Sequence, residues 1–207
     1  MSSPPSNPLP GGPVLIRPAA PGDGSAIDAM LDAAFGPGSH ARTASRLRVG
    51  AVPLAGPSLV AHGGGVLLGS VQLWPVALDS TAGRVSLTLL GPLAVAPQAR
   101  AIGLGRRLLA AALVAADVLR LDTILLIGDL AYYGPFGFSA DATGGWTLPG
   151  PVERERVLLR QRTPRPLPRI ADVVAASTRH DATGRCIPPP DSLPRELSRP
   201  VRRDLPL

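Results

Sequence analysis

The chain has 207 residues, of which 45% are hydrophobic and 17% are charged, so it is long and apolar enough for one domain with a sizeable core. Its only cysteine is Cys186, which excludes an intrachain disulfide and a cysteine-rich zinc site. The formal net charge is +6, but all 21 basic residues are arginine and much of the surplus lies near the C-terminus. This balance alone does not indicate a nucleic-acid-binding protein.

Proline is concentrated at the two ends of the chain. We therefore expect a flexible N-terminal tail over residues 1–12, a folded domain over residues 13–162 and a flexible, Pro/Arg-rich C-terminal tail over residues 163–207. The first residues lack the basic and apolar regions of a signal peptide. The longest apolar helical segment, residues 108–116, is shorter than the roughly 20 residues that span a bilayer. We expect a cytoplasmic protein with no membrane contact.

Hydrophobic periodicity and turn residues predict an alternation of strands and helices. Strands are expected over residues 14–17, 58–62, 66–78, 84–95, 123–127, 136–139 and 152–161, and helices over residues 26–35, 40–49, 103–120 and 130–133. The continuous apolar run at residues 123–127 is typical of a buried parallel strand. Residues 85–127 therefore form a predicted strand–helix–strand crossover. Gly91 and Pro92 interrupt the strand before this helix and predict that it parts from a neighbour.

The turn Arg100-x-x-Gly103-x-Gly105 joins this strand to the long helix. A glycine turn that opens into a helix brings backbone N–H groups and the positive end of the helix dipole to one point, which favours a phosphate. The dinucleotide-binding fingerprint needs a third glycine where this chain has Leu108, and the nucleotide P-loop needs a lysine, which this chain lacks. The turn therefore predicts a phosphate site of another kind.

The wider context resembles the GNAT superfamily of N-acetyltransferases, in particular its small bacterial members. The strand that ends Leu90-Gly91-Pro92-Leu93-Ala94-Val95 resembles the family's fourth strand, and the glycine turn resembles its pyrophosphate loop. Ala131-Tyr132-Tyr133-x-x-Phe136-Gly137-Phe138 resembles its tyrosine-containing short helix. The resemblance implies an α/β fold of the α+β type: a central mixed, mostly antiparallel sheet, splayed between strands 4 and 5 and flanked by helices.

The resemblance also implies an enzyme that transfers the acetyl group of acetyl-CoA, by direct attack, to a primary amine of a small molecule or protein. Carried over by position, the pantetheine contacts fall on Leu93, Ala94 and Val95. The pyrophosphate contacts fall on the amides of Arg100, Ala101, Ile102, Gly103, Leu104 and Gly105. The family often has glycine and a basic residue where this chain has Ala101 and Ile102, and Arg100 and Arg106 are expected to compensate. No metal is expected.

The family's proton donor falls on Tyr133, with Tyr132 as the second choice, and packing of both rings against the pantetheine wall as the alternative. No glutamate occurs on the strand over residues 84–95, where many family members carry their base. Asp129 is a candidate general base, acting directly or through water, or it caps the next helical turn. His40 and His62 are further candidates.

The acceptor pocket is expected near residues 35–49 and Trp74. His40, Arg42, Arg46 and Arg48 would suit an acceptor with a carboxylate or phosphate if they face this pocket, whereas a solvated helix face is the alternative. Two other functions stay open: a non-catalytic acyl-CoA-binding module, and an Arg-rich nucleic-acid-binding protein whose tail binds phosphates. A homodimer is expected by analogy with the family.

Overall fold

A computed structural model describes residues 12–36 and 43–176, together with the backbone of two short strands further on. The helices are α1 (Gly24–Phe35), α2 (Thr43–Arg46), α3 (Pro97–Arg100), α4 (Leu104–Val118) and α5 (Leu130–Tyr133). The strands are β1 (Leu15–Pro18), β2 (Leu59–Gly63), β3 (Val66–Ser80), β4 (Gly83–Val95), β5 (Thr123–Ile127), β6 (Trp146–Thr147), β7 (Val157–Gln161), β8 (Ala171–Ala175), β9 (Arg179–His180) and β10 (Cys186–Ile187). None of the helices in these ranges is long and apolar enough to cross a membrane.

The first eight strands form one mixed sheet. Its main path runs β1-β2-β3-β4-β5-β7, and every pair on this path is antiparallel except β4 and β5. α4 makes the parallel connection between β4 and β5, so the predicted crossover is confirmed. The predicted mixed, mostly antiparallel sheet is confirmed as well.

β4 and β5 part soon after they meet. They pair at Thr88 with Ile124 and at Leu89 with Leu125, and β4 then continues to Val95 without β5. On its other edge β4 pairs with β3, and the register shifts between the pair Leu90–Leu73 and the pair Leu93–Val71. Gly91 lies in this bulge with a φ of 128°, which is a backbone conformation that glycine adopts readily. The parting predicted from Gly91 and Pro92 is therefore confirmed.

The helices cover the two faces of this sheet. α4 buries its leucines and alanines against β2, β3 and β4; Leu104, Leu108, Leu109 and Ala112 are fully buried. α1 packs on β3 and β4, and Leu47, which follows α2, belongs to a second core with Trp146 and residues of β7 and β8. Each face therefore has its own core, and the parted strands lie between them.

The flexible C-terminal tail predicted from residue 163 is wrong for residues 171–175, which form β8. β3 is 15 residues long, and β2 pairs with only its first part, up to Val71. β8 pairs with the later part, from Val76 to Asp79, and buries Val173. An uncovered sheet edge presents unpaired N–H and C=O groups, and β8 satisfies those of β3. Residues 1–11 and most residues after 176 lie outside the described range.

Local differences occur at three further places. The strand predicted over residues 136–139 is wrong: a 3₁₀ turn at Gly134–Phe136 precedes a single bridge between Ser139 and Leu159. The strand predicted from residue 152 begins at Val157, after a second 3₁₀ turn. The helix predicted over residues 40–49 is limited to α2 in the described part of the chain.

We expect Val173→Ala to destabilise the fold, because the substitution removes two buried methyl groups from the core beneath β8. The free energy of unfolding should fall by about 2 kcal/mol in urea denaturation. Asp172→Ala is the matched control, since Asp172 is exposed on the same strand and should change the stability little. Equal, small effects of the two substitutions would contradict the place of β8 in the core.

Candidate functional site

The gap between β4 and β5 opens into a cleft of ≈ 250 Å³. Four elements line it: the end of α1, the end of β4, the glycine turn with the start of α4, and α5. The lining residues are Ala34, Phe35, Leu93, Ala94, Val95, Arg100, Gly105, Tyr132 and Tyr133. The structure thus brings together the residues predicted to contact the pantetheine, two of those predicted around the pyrophosphate, and both tyrosines.

One wall of the cleft is the free edge of β4. Leu93 and Ala94 pair with β3 on their other side, and nothing pairs with them on the β5 side in the described residues. The carbonyl oxygen of Val95 accepts a hydrogen bond from Arg100 Nε at 3.3 Å. A free strand edge offers alternating N–H and C=O groups, so it suits an extended ligand that carries amide groups.

At the wider end of the cleft, the glycine turn presents the start of α4. Gly103 precedes the helix in the left-handed conformation, with a φ of 69°, and its N–H donates to the carbonyl of Arg100 at 3.2 Å. The first helical bond runs from Arg107 N–H to the carbonyl of Gly103 at 3.2 Å, and no side chain caps the helix. The amides of Leu104, Gly105 and Arg106 therefore lack a backbone acceptor among the described residues.

This arrangement suits an anion for two physical reasons. Unpaired N–H groups point from the first turn of a helix, and the helix dipole adds a partial positive charge there. Arg100 and Arg106 are exposed beside the turn and add two full charges. The amide of Gly103 differs from the prediction, because it already donates within the turn. The exposed residues Ala101 and Ile102 lie in the turn itself.

Tyr132 closes over the start of α4. A Cβ at Gly105 would lie 2.8 Å from the Tyr132 hydroxyl, so only glycine allows this close approach without a shift. The guanidinium of Arg106 lies 5.7 Å from the centre of the Tyr132 ring. Burial raises the pKa of Tyr132, and the charge of Arg106 opposes this rise.

Tyr133 lies deeper, at the end of β5. Its ring makes edge-to-face contacts with Tyr132, at 4.9 Å between ring centres, and with Phe138, at 6.0 Å. A Cβ at Gly128 would overlap the ring, so the glycine makes room for it. Burial raises the pKa of Tyr133 to about 12, and the hydroxyl therefore keeps its proton at neutral pH. Gly128 was not among the predicted site residues, although a glycine at the end of a predicted strand and shortly before two tyrosines is a detectable signal.

Asp129 serves as the cap of α5. Its Oδ1 accepts a hydrogen bond from Ala131 N–H at 2.8 Å, and its carbonyl accepts from the N–H groups of Tyr132 and Tyr133, both at 3.0 Å. Asp129 does not contribute to the cleft lining. The geometry thus supports the capping role of Asp129 directly, whereas the role of Asp129 as a base stays a prediction.

The basic residues of the expected acceptor region have different environments. Arg46 Nη1 donates to the carbonyl of Pro149 at 2.8 Å, whereas the guanidinium of Arg48 lies 5.3 Å from the centre of the Trp74 ring. His62 is on β2, and its Nε2 lies 3.9 Å from Asp23 Oδ1. β3 lies between β2 and β4 in the sheet. His40 and Arg42 lie outside the described residues.

Comparisons with known proteins link this geometry to solved structures. No protein-family model matches the sequence, and neither does any curated protein. The fold is similar to that of the GNAT family N-acetyltransferase YhbS from Escherichia coli in complex with CoA: 27% identity over 73% of this chain and 83% of that protein, with a TM-score of 0.60. It is also similar to that of a GNAT family acetyltransferase from Brucella melitensis in complex with acetyl-CoA: 24% identity over 80% of this chain and 97% of that protein, with a TM-score of 0.60.

The partial burial of Tyr133 makes the stability depend on pH in the alkaline range. Its pKa is near 10 in the unfolded chain and about 12 in the folded protein, so the unfolded chain releases the proton first and stability falls as the pH rises from about 10 toward 12. This group contributes up to about 1.4 kcal/mol per pH unit.

Urea denaturation across this pH range should show a weaker pH dependence for Tyr133→Phe than for the unmodified protein. Tyr132→Phe is the comparison: burial raises the pKa of Tyr132 as well, but less than that of Tyr133, so this variant should weaken the pH dependence less. An unchanged slope in Tyr133→Phe would contradict the burial of this hydroxyl.

Proposed function

Because the chain belongs to the GNAT superfamily, we propose that it is an N-acetyltransferase, which transfers the acetyl group of acetyl-CoA to a primary amine of a small molecule or a protein. One observation carries this proposal: the gap between β4 and β5 leads directly from the unpaired amides at the start of α4 to the partly buried Tyr133. This single cleft joins a phosphate-binding end to a proton-donating end.

The cleft fits the chemical parts of CoA in order. The amides of Leu104, Gly105 and Arg106 suit the pyrophosphate, with Arg100 and Arg106 as charged neighbours. The free edge of β4 at Leu93, Ala94 and Val95 suits the two amide groups of the pantetheine arm. Gly105 carries no side chain that would push the ligand away from the helix start.

Acetyl-CoA supplies an activated thioester. In the proposed reaction the amine nitrogen forms a bond to the acetyl carbon, the carbon–sulfur bond breaks, and the sulfur leaves with the bonding electrons. The Tyr133 hydroxyl gives its proton to this sulfur, and the amine nitrogen loses a proton to a base or to water. A phenol whose pKa lies at about 12 is fully protonated before this step and is thus ready to donate.

The cleft in the described residues contains no aspartate, glutamate or histidine among its lining side chains. Asp129 therefore remains the candidate base only through an intervening water. Its capping bonds have a second effect, since they fix the backbone of α5 and so the position of Tyr133.

Two measurements test the proposed activity together. Calorimetry should show binding of acetyl-CoA, and release of free thiol with a panel of amines should show turnover. Tyr133→Phe should lower kcat by about 10² or more, because the proton donor is lost, while the affinity for acetyl-CoA changes little. A loss of affinity without a loss of kcat would instead indicate that the ring only packs against the ligand.

The other outcomes distinguish the remaining functions. Binding of acetyl-CoA with no turnover on any amine would indicate a non-catalytic acyl-CoA-binding module. No binding at high micromolar concentration, together with salt-sensitive binding of RNA or DNA, would indicate an Arg-rich nucleic-acid-binding protein.

A pair of substitutions separates the two roles of Asp129. Asparagine caps a helix about as well as aspartate, whereas alanine costs about 1 kcal/mol of helix stability. We expect Asp129→Asn to keep most of the turnover and Asp129→Ala to lower it, as measured by thiol release at saturating acetyl-CoA. Comparable, large losses of kcat in both variants would show that the carboxylate acts as the base.

A further inference from the structure

Arg48 is a largely buried cation that lacks a paired anion. Its Nε donates to the carbonyl of Ala44 at 3.2 Å, and its Nη2 donates to Ser45 Oγ at 2.8 Å. No carboxylate lies within ion-pair distance of it in the part of the chain that the structure describes. Burial lowers the pKa of Arg48, and the charge of Asp28 offsets this only at longer range. Buried arginines are usually paired, so this guanidinium lacks its expected partner.

Trp74 adds a second unmatched donor to the same place. The guanidinium of Arg48 lies over its ring at 5.3 Å, and the indole Nε1 is buried without a hydrogen-bond partner among the residues that the structure describes. A buried donor left without an acceptor costs free energy, and such groups in proteins commonly meet a ligand or a water. The stacked pair therefore offers a positive charge, and Trp74 Nε1 and Arg48 Nη1 have no acceptor among the described residues.

The position of this pair relates it to the cleft. Trp74 is opposite Leu89 in the β3–β4 ladder, and Leu89 is also the last residue of β4 that pairs with β5. The pair therefore lies level with the closed end of the gap. The start of α4 is at the other end, beyond Val95, about 20 Å along the strand. A ligand whose phosphates lie at α4 thus directs its acyl end toward Trp74.

The pair also lies on the face of the sheet opposite α4. Trp74 packs against the core that contains Leu47 and Leu89, whereas α4 covers the opposite face of the sheet. α1 lies on the same face as Trp74, since burial lowers the pKa of Arg48 and the charge of Asp28, on α1, opposes this lowering. α1 also lines the cleft, through Ala34 and Phe35. The phosphate side and the Arg48 side are therefore separated by the sheet and joined by the gap.

We propose that Arg48 and Trp74 bind an oxyanion of the acceptor, so that the acceptor is a small amine that carries a carboxylate or a phosphate. This inference rests on the proposed acetyltransferase function. A guanidinium binds either group through two parallel hydrogen bonds, and the indole N–H donates a third. The ring covers the short carbon chain that separates the anion from the amine. Arg46, by contrast, is exposed and bonded to Pro149, so it is not part of this subsite.

Matched acceptors test the preference in turnover. β-Alanine carries a carboxylate, phosphoethanolamine carries a phosphate, and propylamine carries no anion. We expect at least about tenfold higher kcat/KM for one of the two anionic amines than for propylamine, since hydrogen bonds to charged groups are strong. Which of the two is preferred decides between carboxylate and phosphate. Equal kcat/KM values for all three, or a preference for propylamine, would overturn the inference while leaving the acetyltransferase function intact.

Substitutions then assign the preference to Arg48. Arg48→Gln should raise KM for the preferred anionic amine about tenfold or more, so that the preference over propylamine falls, while the affinity for acetyl-CoA stays unchanged. Arg46→Gln removes the same charge from α2 and should leave the preference in place. Arg48→Lys keeps the charge without the two-bond geometry, and it should show an intermediate KM. If Arg48→Gln is unstable, Arg48→Lys carries the comparison, and an unchanged preference in the variant used would overturn the assignment.

A binding experiment separates this inference from the reaction itself. Calorimetry with β-alanine and with phosphoethanolamine, each added to the protein saturated with CoA, should show binding of one of them that Arg48→Gln or Arg48→Lys weakens. This result would support the subsite even if no amine were acetylated, in which case only the proposed activity would fail. Absence of binding by both probes would overturn the subsite whatever the turnover assay shows.

Discussion

The parting of β4 from β5 after Leu89 is the constraint on which the rest of the structure depends. A parallel pair normally continues along both strands, and each added residue satisfies further backbone groups. Here β4 stays bound to β3 across the Gly91 bulge and leaves its other edge free as far as Val95. Because the sheet continues through β3 on one side and β7 on the other, the gap opens without dividing the core.

Two glycines convert this gap into a site with a defined shape. Gly105 and Gly128 each lie where a Cβ would collide with a tyrosine, the first with the hydroxyl of Tyr132 and the second with the ring of Tyr133. The tyrosines therefore reach the helix start and the end of β5 closely, and both rings are partly buried. This packing raises both pKa values, so the chemistry assigned to Tyr133 follows from how closely the backbone approaches it.

The features that could be predicted from the sequence are those that depend on residues close together in the chain. The glycine turn, β5 and α5 were predicted closely, because a continuous apolar run and a glycine before a helix act within a few residues. β8 was not predicted, since proline-rich flanks hide a short strand that is ordered by long-range contacts: the later part of β3, the short strand β6 and the core around Val173. The environment of Arg48 was left open for the same reason: its ring partner is on β3 and belongs to another part of the chain.

The unpaired charge of Arg48 also affects how the acceptor amine would lose its proton in the proposed reaction. An amine must lose its proton before it attacks, and a nearby cation lowers the pKa of an ammonium group because the two positive charges repel. In the proposed subsite the acceptor's anion partly neutralises Arg48, so the guanidinium would favour the uncharged amine over the ammonium to a reduced extent. No carboxylate or imidazole lines the described cleft. A cation beside the bound acceptor would lower the pKa of its ammonium group, so a weaker base would suffice to deprotonate it. In this proposal the unpaired charge of Arg48 compensates for the lack of a carboxylate or imidazole in the described cleft lining.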